Sequence, residues 1–353
     1  MKGSRDRVRK LIGGGKPDRM PHFDLIVNDA VLRHFNSGVA VGIGDDRGGM
    51  TAVAGATDAS RFTYFSPMKE GIEILPDGRK RVSRDWTAWN EPERPVKPEE
   101  YRADARHRLE EARDRGRRPY DTRHDGQYAG DLSISGTFGD DYYYVALGAC
   151  PQLMGTWLEY GLEEFCGYLE ECDEAVGERL EANTLEACAW VDGLPADDGF
   201  EMFFIGEDIA FNNAPMFSLA WLERRYFPRL KRVIDRFHAR GKKVLFHSDG
   251  DLNLIMDGLV AAGIDALNPI DINAGMALAD LHRRYPRLIF MGGIDVARLL
   301  PFGKPGEIRD AVVKAIEDTQ GRILVGSSTE VGNSVPLENY LAMRDAVMSY
   351  PLR

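Results

Sequence analysis

Short apolar runs that end in polar residues recur through the second half of the chain, and they restrict the folds open to it. The run VLFHSDGD ends in His247, Asp249 and Asp251, and Gly250 interrupts its extended pattern. Comparable runs end in Glu207-Asp208, Asn268-Pro-Ile-Asp271 and Gly293-Ile-Asp295. Helical patterns separate the runs, and such alternation is typical of parallel βαβ units. Because parallel strands end at the same edge of a sheet, these polar residues are predicted to meet there.

The number and order of the predicted strands favour a closed barrel over an open sheet. The predicted strands are 20–26, 60–65, 131–138, 199–207, 243–248, 265–270, 287–293 and 322–326. Strand and helix alternate regularly from 199 onward, so the expected fold is a single α/β domain over residues 1–353, a (β/α)8 TIM barrel. A turn at Asp77-Gly78 between alternating residues predicts an inserted β-hairpin near residues 71–86.

Composition narrows the class of protein. The formal net charge is -11, which argues against a general affinity for nucleic acid or anionic membranes. No apolar run has the length of a membrane span, and the first residues lack the apolar core of a signal peptide. The four cysteines show no tight metal-binding spacing. We therefore expect a cytoplasmic enzyme that acts on a small-molecule substrate.

Several strand ends carry candidate functional side chains. Those expected to take part in catalysis are Glu207, Asp208, Asn268 and Asp295. Those expected to bind substrate are His22, Asp24, Tyr142 and Asn212. Each also has an ordinary structural interpretation: a carboxylate can hold a turn or cap a helix, a histidine can pack in the core, and a tyrosine can belong to a packing face.

Five segments carry a resemblance to a known family. They are RDRVRKLIGGGKPDRMP, VLFHSDGDL, AAGIDALNPI, FMGGID and VGSSTEVGNSVPLENYLAM. In this order they resemble the uroporphyrinogen decarboxylase superfamily over nearly the full chain, although residues 30–150 match weakly. The resemblance implies a TIM barrel. It also implies either decarboxylation or zinc-dependent methyl transfer serving corrinoid proteins, coenzyme M or folate.

The sequence departs from both branches of that superfamily. True decarboxylases carry an arginine-rich segment after the first strand, where this chain has only Arg33, and a histidine after the last strand, where it has Ser327-Ser-Thr-Glu330. The methyltransferases use His-x-Cys after strand five and a second cysteine after strand eight. Here His247-Ser-Asp249 replaces the first motif, and Ser327 or Ser328 replaces the second cysteine.

The resemblance therefore implies a metal site in which carboxylates replace thiolates. The expected ligands are His247, Asp249 and Glu330, with Glu207 in reserve. Such a set would bind a divalent metal, either zinc with oxygen ligands or a harder ion.

The resulting expectation is a metal-dependent methyltransferase component of the methyltransferase branch. It would transfer a methyl group from a small O-, N- or S-methyl substrate to a corrinoid carried by a separate protein, because the sequence has no Asp-x-His-x-x-Gly motif. The resemblance also implies a homodimer. Two alternatives stay open: a decarboxylase or lyase acting on a carboxylated substrate, and a non-catalytic binding protein.

Overall fold

The computed structural model describes residues 3–61, 66–84, 86–116, 118 and 120–352. The strands are β1 (Leu25–Val27), β2 (Ala59–Arg61), β3 (Gly71–Ile74), β4 (Lys80–Arg84), β5 (Thr87–Asn90), β6 (Tyr143–Leu147), β7 (Met202–Gly206), β8 (Ala210–Phe211), β9 (Ala214–Pro215), β10 (Lys243–His247), β11 (Ala266–Asn268), β12 (Ile289–Ile294), β13 (Ile323–Ser327) and β14 (Glu330–Gly332).

Helices occupy most of the connections between these strands. They are α1 (Ser4–Ile12), α2 (Asp29–Phe35), α3 (Asp46–Ala56), α4 (Pro98–Arg115), α5 (Gly126–Gly136), α6 (Leu153–Tyr160), α7 (Leu162–Asp192), α8 (Leu219–Trp221), α9 (Phe227–Ala239), α10 (Met256–Ala262), α11 (Leu278–Arg284), α12 (Leu299–Phe302), α13 (Pro305–Asp318) and α14 (Leu337–Ser349). A π-helical turn, Leu222–Tyr226, joins α8 to α9.

Within the described ranges, seven strands form one parallel sheet in the order β2-β6-β7-β10-β11-β12-β13. The segment before β1 lies between the two edges of this sheet. Phe23 bridges to Ala59 of β2, and His22 bridges to Val325 of β13. β1 itself pairs in parallel with β14. The curled sheet and the bridges to both of its edges are consistent with a TIM-like barrel.

Burial explains why these segments form strands and helices. Phe203, Phe204 and Ile205 of β7 are all buried, as are Val244 to Phe246 of β10, so both faces of the sheet are covered. The helices present one apolar side to it. In α9 the buried residues are Phe227, Leu230, Val233, Ile234 and Phe237, which recur at helical spacing.

The strand predicted over 131–138 is wrong, because these residues lie mainly in α5. The Asp125 carboxylate accepts a hydrogen bond from the backbone of Tyr128 and so caps the start of that helix. Asp131 faces inward and accepts hydrogen bonds from the Tyr144 hydroxyl and the Leu147 amide, both at 2.8 Å. The strand at this place in the sheet is β6, which the sequence pattern did not predict.

The segment near the predicted hairpin is an antiparallel sheet of three strands. Ile72 of β3 pairs with Val82 of β4, which pairs in turn with Trp89 of β5. The two isoleucines of β3 are exposed, so this sheet does not contribute them to the core. That the segment is inserted into the barrel stays a prediction. In the predicted strand 60–65, residues 62–65 lie outside the described residues.

A buried carboxylate fixes the N-terminal segment to the N-terminal end of the barrel. Asp58, which directly precedes β2, is 1% exposed. It accepts hydrogen bonds from Ser4, Arg7 and Arg19 at 2.7 to 2.8 Å and from the backbone of His22 at 3.0 Å. The polar strand ends described below lie at the opposite end of the barrel. In the part of the chain that is described, no helix is long and apolar enough to cross a membrane.

Candidate functional site

Two neighbouring strands bring three potential metal ligands together. β7 and β10 pair in parallel with Gly206 opposite His247, so the residues that follow them enter the same space. Asp208, His247 and Asp249 each offer a ligand atom, and these atoms lie within 4.8 Å of one another. The backbone amide of Asp249 donates to the Asp208 carboxylate at 3.1 Å, which ties the two loops together. One nitrogen and two carboxylates can hold a divalent cation.

The imidazole of His247 has an orientation suited to a ligand. Its Nδ1 lies 2.9 Å from Oδ1 of Asn268, whose amide nitrogen donates to the Met291 carbonyl at 3.1 Å. Because that carbonyl can only accept, Asn268 presents its oxygen to His247, and Nδ1 must carry the proton. Nε2 then keeps its lone pair and lies 3.9 Å from Oδ1 of Asp208. Burial, together with nearby Arg61, lowers the pKa of His247, which favours the neutral ring that a metal needs.

The acidic side chains of this cluster repel one another. Burial raises the pKa of Asp249 to about 7, and Asp208 and Glu330 add to the effect because they carry like charge. A cation bound among these carboxylates would relieve the repulsion and favour the ionised form of Asp249.

Glu330, expected as a metal ligand, lies beside this group and is not part of it. Its Oε1 is 3.4 Å from Nη2 of Arg61, and its Oε2 accepts a hydrogen bond from the Thr329 hydroxyl at 2.8 Å. Burial alone would raise the pKa of Glu330, but Arg61 and His247 hold it below its ordinary value. Asp208, expected as a catalytic residue, is the third member of the ligand group.

Glu207 has its carboxylate at the start of a helix. Its two oxygens accept hydrogen bonds from the backbone amides of Leu153 and Met154, at 3.0 and 2.7 Å, in the first turn of α6. The side chain is fully buried, and burial raises its pKa to about 7. These contacts make Glu207 an anchor for α6. Glu207 was predicted as a reserve metal ligand, and it is not a member of the ligand group Asp208, His247 and Asp249.

His22 and Asp24 are both buried, in a closed polar network that includes Tyr340 of the outer helix α14. His22 Nε2 lies 3.1 Å from the Tyr340 hydroxyl and 3.5 Å from the Asp24 carboxylate. Asp24 also accepts hydrogen bonds from the amide and hydroxyl of Ser327. Burial lowers the pKa of His22 to about 3 and raises that of Asp24 to about 7, so both groups favour their neutral forms. A substrate role for either residue stays a prediction.

Tyr142, predicted to bind substrate, lies at the opposite end of the barrel from the ligand group. Its hydroxyl lies 2.6 Å from the Thr57 hydroxyl. Tyr142 directly precedes β6, and Thr57 comes two residues before β2, so both lie at the N-terminal ends of strands. The ligand group lies at the C-terminal ends. The sequence interpretation did not place a strand at 143–147, so it could not show at which end of the barrel Tyr142 lies. A substrate role for Tyr142 stays a prediction.

Asn212 and Asp295 lie in loops after the strands. Asn212 is exposed in the turn between β8 and β9, a hairpin whose Phe211 carbonyl accepts a hydrogen bond from the Asp251 amide at 2.8 Å. Asp295 accepts hydrogen bonds from Asn273 and from two backbone amides that follow it, so it shapes its own loop.

Sequence reasoning missed one residue of the site. Arg61, the last residue of β2, is buried, and its guanidinium carbon lies 3.8 Å from the centre of the Phe204 ring. The same ring contacts His247, with ring centres 5.1 Å apart. Arg61 could have been found from the sequence, because it is a charged residue within the predicted apolar strand 60–65. An arginine in such a strand is rarely buried without a partner, which makes it a candidate for a functional role.

Comparisons with known proteins agree with this fold. No family model matches the chain, and no curated protein is similar to it. A methyltransferase from Methanosarcina mazei is similar in structure over 98% of each chain, with a TM-score of 0.68 and 13% identity. At that identity the likeness shows a shared fold. A putative vitamin-B12 independent methionine synthase from Listeria monocytogenes has a TM-score of 0.42 and 14% identity, over 65% of this chain and 70% of the other, which is too distant to support an argument.

Proposed function

We propose that this chain is a metal-dependent methyltransferase component. The observation that carries the proposal is the group Asp208, His247 and Asp249, with ligand atoms within 4.8 Å of one another at the C-terminal ends of parallel strands. Catalytic groups of TIM-like barrels lie at this end. The structural likeness to a methyltransferase over 98% of the chain supports the reaction class.

The residues around the group fit a divalent cation. Asn268 holds His247 in the tautomer that leaves Nε2 available, as residues behind metal-binding histidines do. When bound, a divalent ion would supply Lewis acidity toward an oxygen or other heteroatom of the methyl donor. Oxygen ligands in place of thiolates favour zinc of high Lewis acidity or a harder metal. The chain itself would orient the imidazole and hold the carboxylates at the mouth of the barrel.

We further propose that the methyl group comes from a small O-, N- or S-methyl compound and passes to a corrinoid on a separate protein. The sequence resemblance to corrinoid-linked methyltransferases supports this. The same resemblance supports a homodimer, and sedimentation at the mass of the 39.5 kDa chain would contradict it.

Metal content tests the proposal directly. Purified protein should contain close to one divalent ion per chain, and His247→Ala and Asp208→Asn should each lose most of it. His34→Ala is the matched control because His34 is exposed on α2 and lies outside the ligand group. Asp249→Cys, which offers zinc a thiolate, should keep zinc and change the preference among methyl donors. Full metal occupancy in His247→Ala would overturn the proposed site.

A decarboxylase that acts on a carboxylated substrate is the second candidate. The observation that favours it is the buried cation Arg61 beside the same cluster, since a carboxylate substrate needs a positive partner. Purified protein without stoichiometric metal that converts uroporphyrinogen to coproporphyrinogen would establish this alternative over methyl transfer.

A further inference from the structure

Arg61 occupies a position where barrel enzymes place functional groups. It is the C-terminal residue of β2, and its side chain is 10% exposed. The guanidinium lies against one face of Phe204, and Phe204 contacts His247, so cation and imidazole share one aromatic neighbour. Residues at the C-terminal ends of barrel strands commonly take part in binding and catalysis.

The charges around Arg61 define what the pocket can accept. Asp208, Asp249 and Glu330 all interact favourably with its guanidinium. If the three carboxylates are ionised and His247 is neutral, the single positive charge of Arg61 brings the net charge of these five side chains to about minus two. One divalent cation would cancel that charge. In the loaded pocket, Asp208 and Asp249 would be directed at the metal. Arg61 would then be a positive group beside the metal, close enough to the pocket to meet a negative charge on a substrate.

A purely structural role explains Arg61 less well. Arg61 is more deeply buried than Glu330, with which it forms an ion pair: the two side chains are 10% and 36% exposed. Burial disfavours the charged guanidinium and lowers its pKa. The buried guanidinium of Arg61 is planar and can donate two parallel hydrogen bonds to a carboxylate, so it is suited to binding a carboxylate ligand.

We propose that Arg61 binds a carboxylate group of the small-molecule substrate, so that the methyl donor is a carboxylated compound. The proposal deepens the methyltransferase assignment and rests on it for the methyl donor. The recognition of a carboxylate by Arg61 can be tested independently of metal content. Glu330 holds the guanidinium at the edge of the pocket through the 3.4 Å ion pair until the substrate carboxylate takes up the contact.

The test uses matched probes that differ in one group. Binding of methoxyacetate and 3-methoxybenzoate to the metal-loaded protein is measured by calorimetry beside the neutral amides methoxyacetamide and 3-methoxybenzamide. At least one carboxylate should bind tenfold or more tightly than its amide. Arg61→Met should remove that preference, and Arg61→Lys should keep part of it, because lysine retains the charge without the planar fork.

Arg344→Met is the matched control. Arg344 also stacks on a phenylalanine, with its guanidinium carbon 4.9 Å from the centre of the Phe35 ring, but it bonds to the backbone of Gly55 and Ala56 away from the cluster. This variant should bind carboxylates as the wild type does. Thermal unfolding of each variant shows whether it folds. If Arg61→Met does not fold, Arg61→Lys still decides the test.

Two results would overturn the inference. One is a wild-type protein that prefers no carboxylate over its amide, including one that binds none of the probes. The other is a folded Arg61→Met or Arg61→Lys protein with the full wild-type preference. Metal content, measured on the same samples, separates the proposals. Arg61-dependent carboxylate binding in a protein that holds no metal would refute the metal-dependent methyltransferase while leaving carboxylate recognition in place.

Discussion

Replacing Asn268 by alanine should weaken metal binding although Asn268 is not itself in the ligand group. The side chain accepts the Nδ1 proton of His247 at 2.9 Å and donates to the Met291 carbonyl at 3.1 Å. Removing a residue that orients a metal-bound histidine typically costs ten- to hundredfold in affinity. That corresponds to about 1.4 to 2.7 kcal/mol, at roughly 1.4 kcal/mol for each factor of ten. The buried carbonyl and ring nitrogen left unpaired should each cost about 1 to 3 kcal/mol of folding stability.

The assay is a zinc titration of metal-free protein in competition with a chromophoric chelator, run beside urea unfolding. Asn268→Asp separates the two effects. Its carboxylate can still accept the proton from His247, but it places an acceptor against the Met291 carbonyl, so it should retain zinc affinity and lose stability. Asn273→Ala is the control, since Asn273 lies in the loop that follows β11 and its side-chain amide donates to Asp295. Wild-type zinc affinity in folded Asn268→Ala would refute the reasoning.

Three further variants test the framework of the site. Because burial raises the pKa of Glu207 to about 7, the folded state holds a proton that the unfolded chain releases near its ordinary value. Wild-type stability should therefore fall from about pH 5 to about pH 7. Glu207→Gln should make that slope smaller in urea unfolding, and the remainder comes from Asp24 and Asp249, whose pKa burial also raises to about 7. Asp58→Asn should cost about 3 kcal/mol, because it removes a buried carboxylate that pairs with both Arg7 and Arg19. Arg19 holds the pKa of Asp58 below its ordinary value, so the stability that the Asp58 carboxylate supplies is lost as pH falls. The cost of Asp58→Asn should therefore shrink in acid. An equal cost at about pH 3 would contradict this assignment. Gly250 has φ +91°, and a Cβ added there would lie 2.6 Å from a backbone oxygen of the β8–β9 hairpin. Gly250→Ala should therefore lower both the melting temperature and the zinc affinity. Unchanged values would show that the hairpin shifts to accommodate the added Cβ.

The alternating second half of the chain could be predicted from sequence because each strand there is signalled locally. β10 was expected at 243–248 and β13 at 322–326, and each lies within about a residue of those bounds. Continuous apolar runs bounded by glycine and charged residues mark strands that are buried on both faces.

Local patterns failed in the first half because two structures fit the same residues. The run DLSISGTF alternates like a strand, yet the cap at Asp125 and the buried contacts of Asp131 place most of it in a helix. The three tyrosines at 142–144 resemble an amphipathic packing segment, but two of them open β6. Propensity over such short windows is weaker than the tertiary contacts that oppose it.

The sequence by itself determined that His247 and Asp249 would lie together, because residues two apart at a strand end face the same way. It also determined the apolar strands that carry them and the excess of acidic charge. Only the tertiary structure decided that Asp208 completes the ligand group, that Glu330 pairs with Arg61, and that Tyr142 lies at the other end of the barrel. The physical reason is register: which side chains meet across a sheet depends on how strands far apart in the chain align, and no local pattern encodes that alignment.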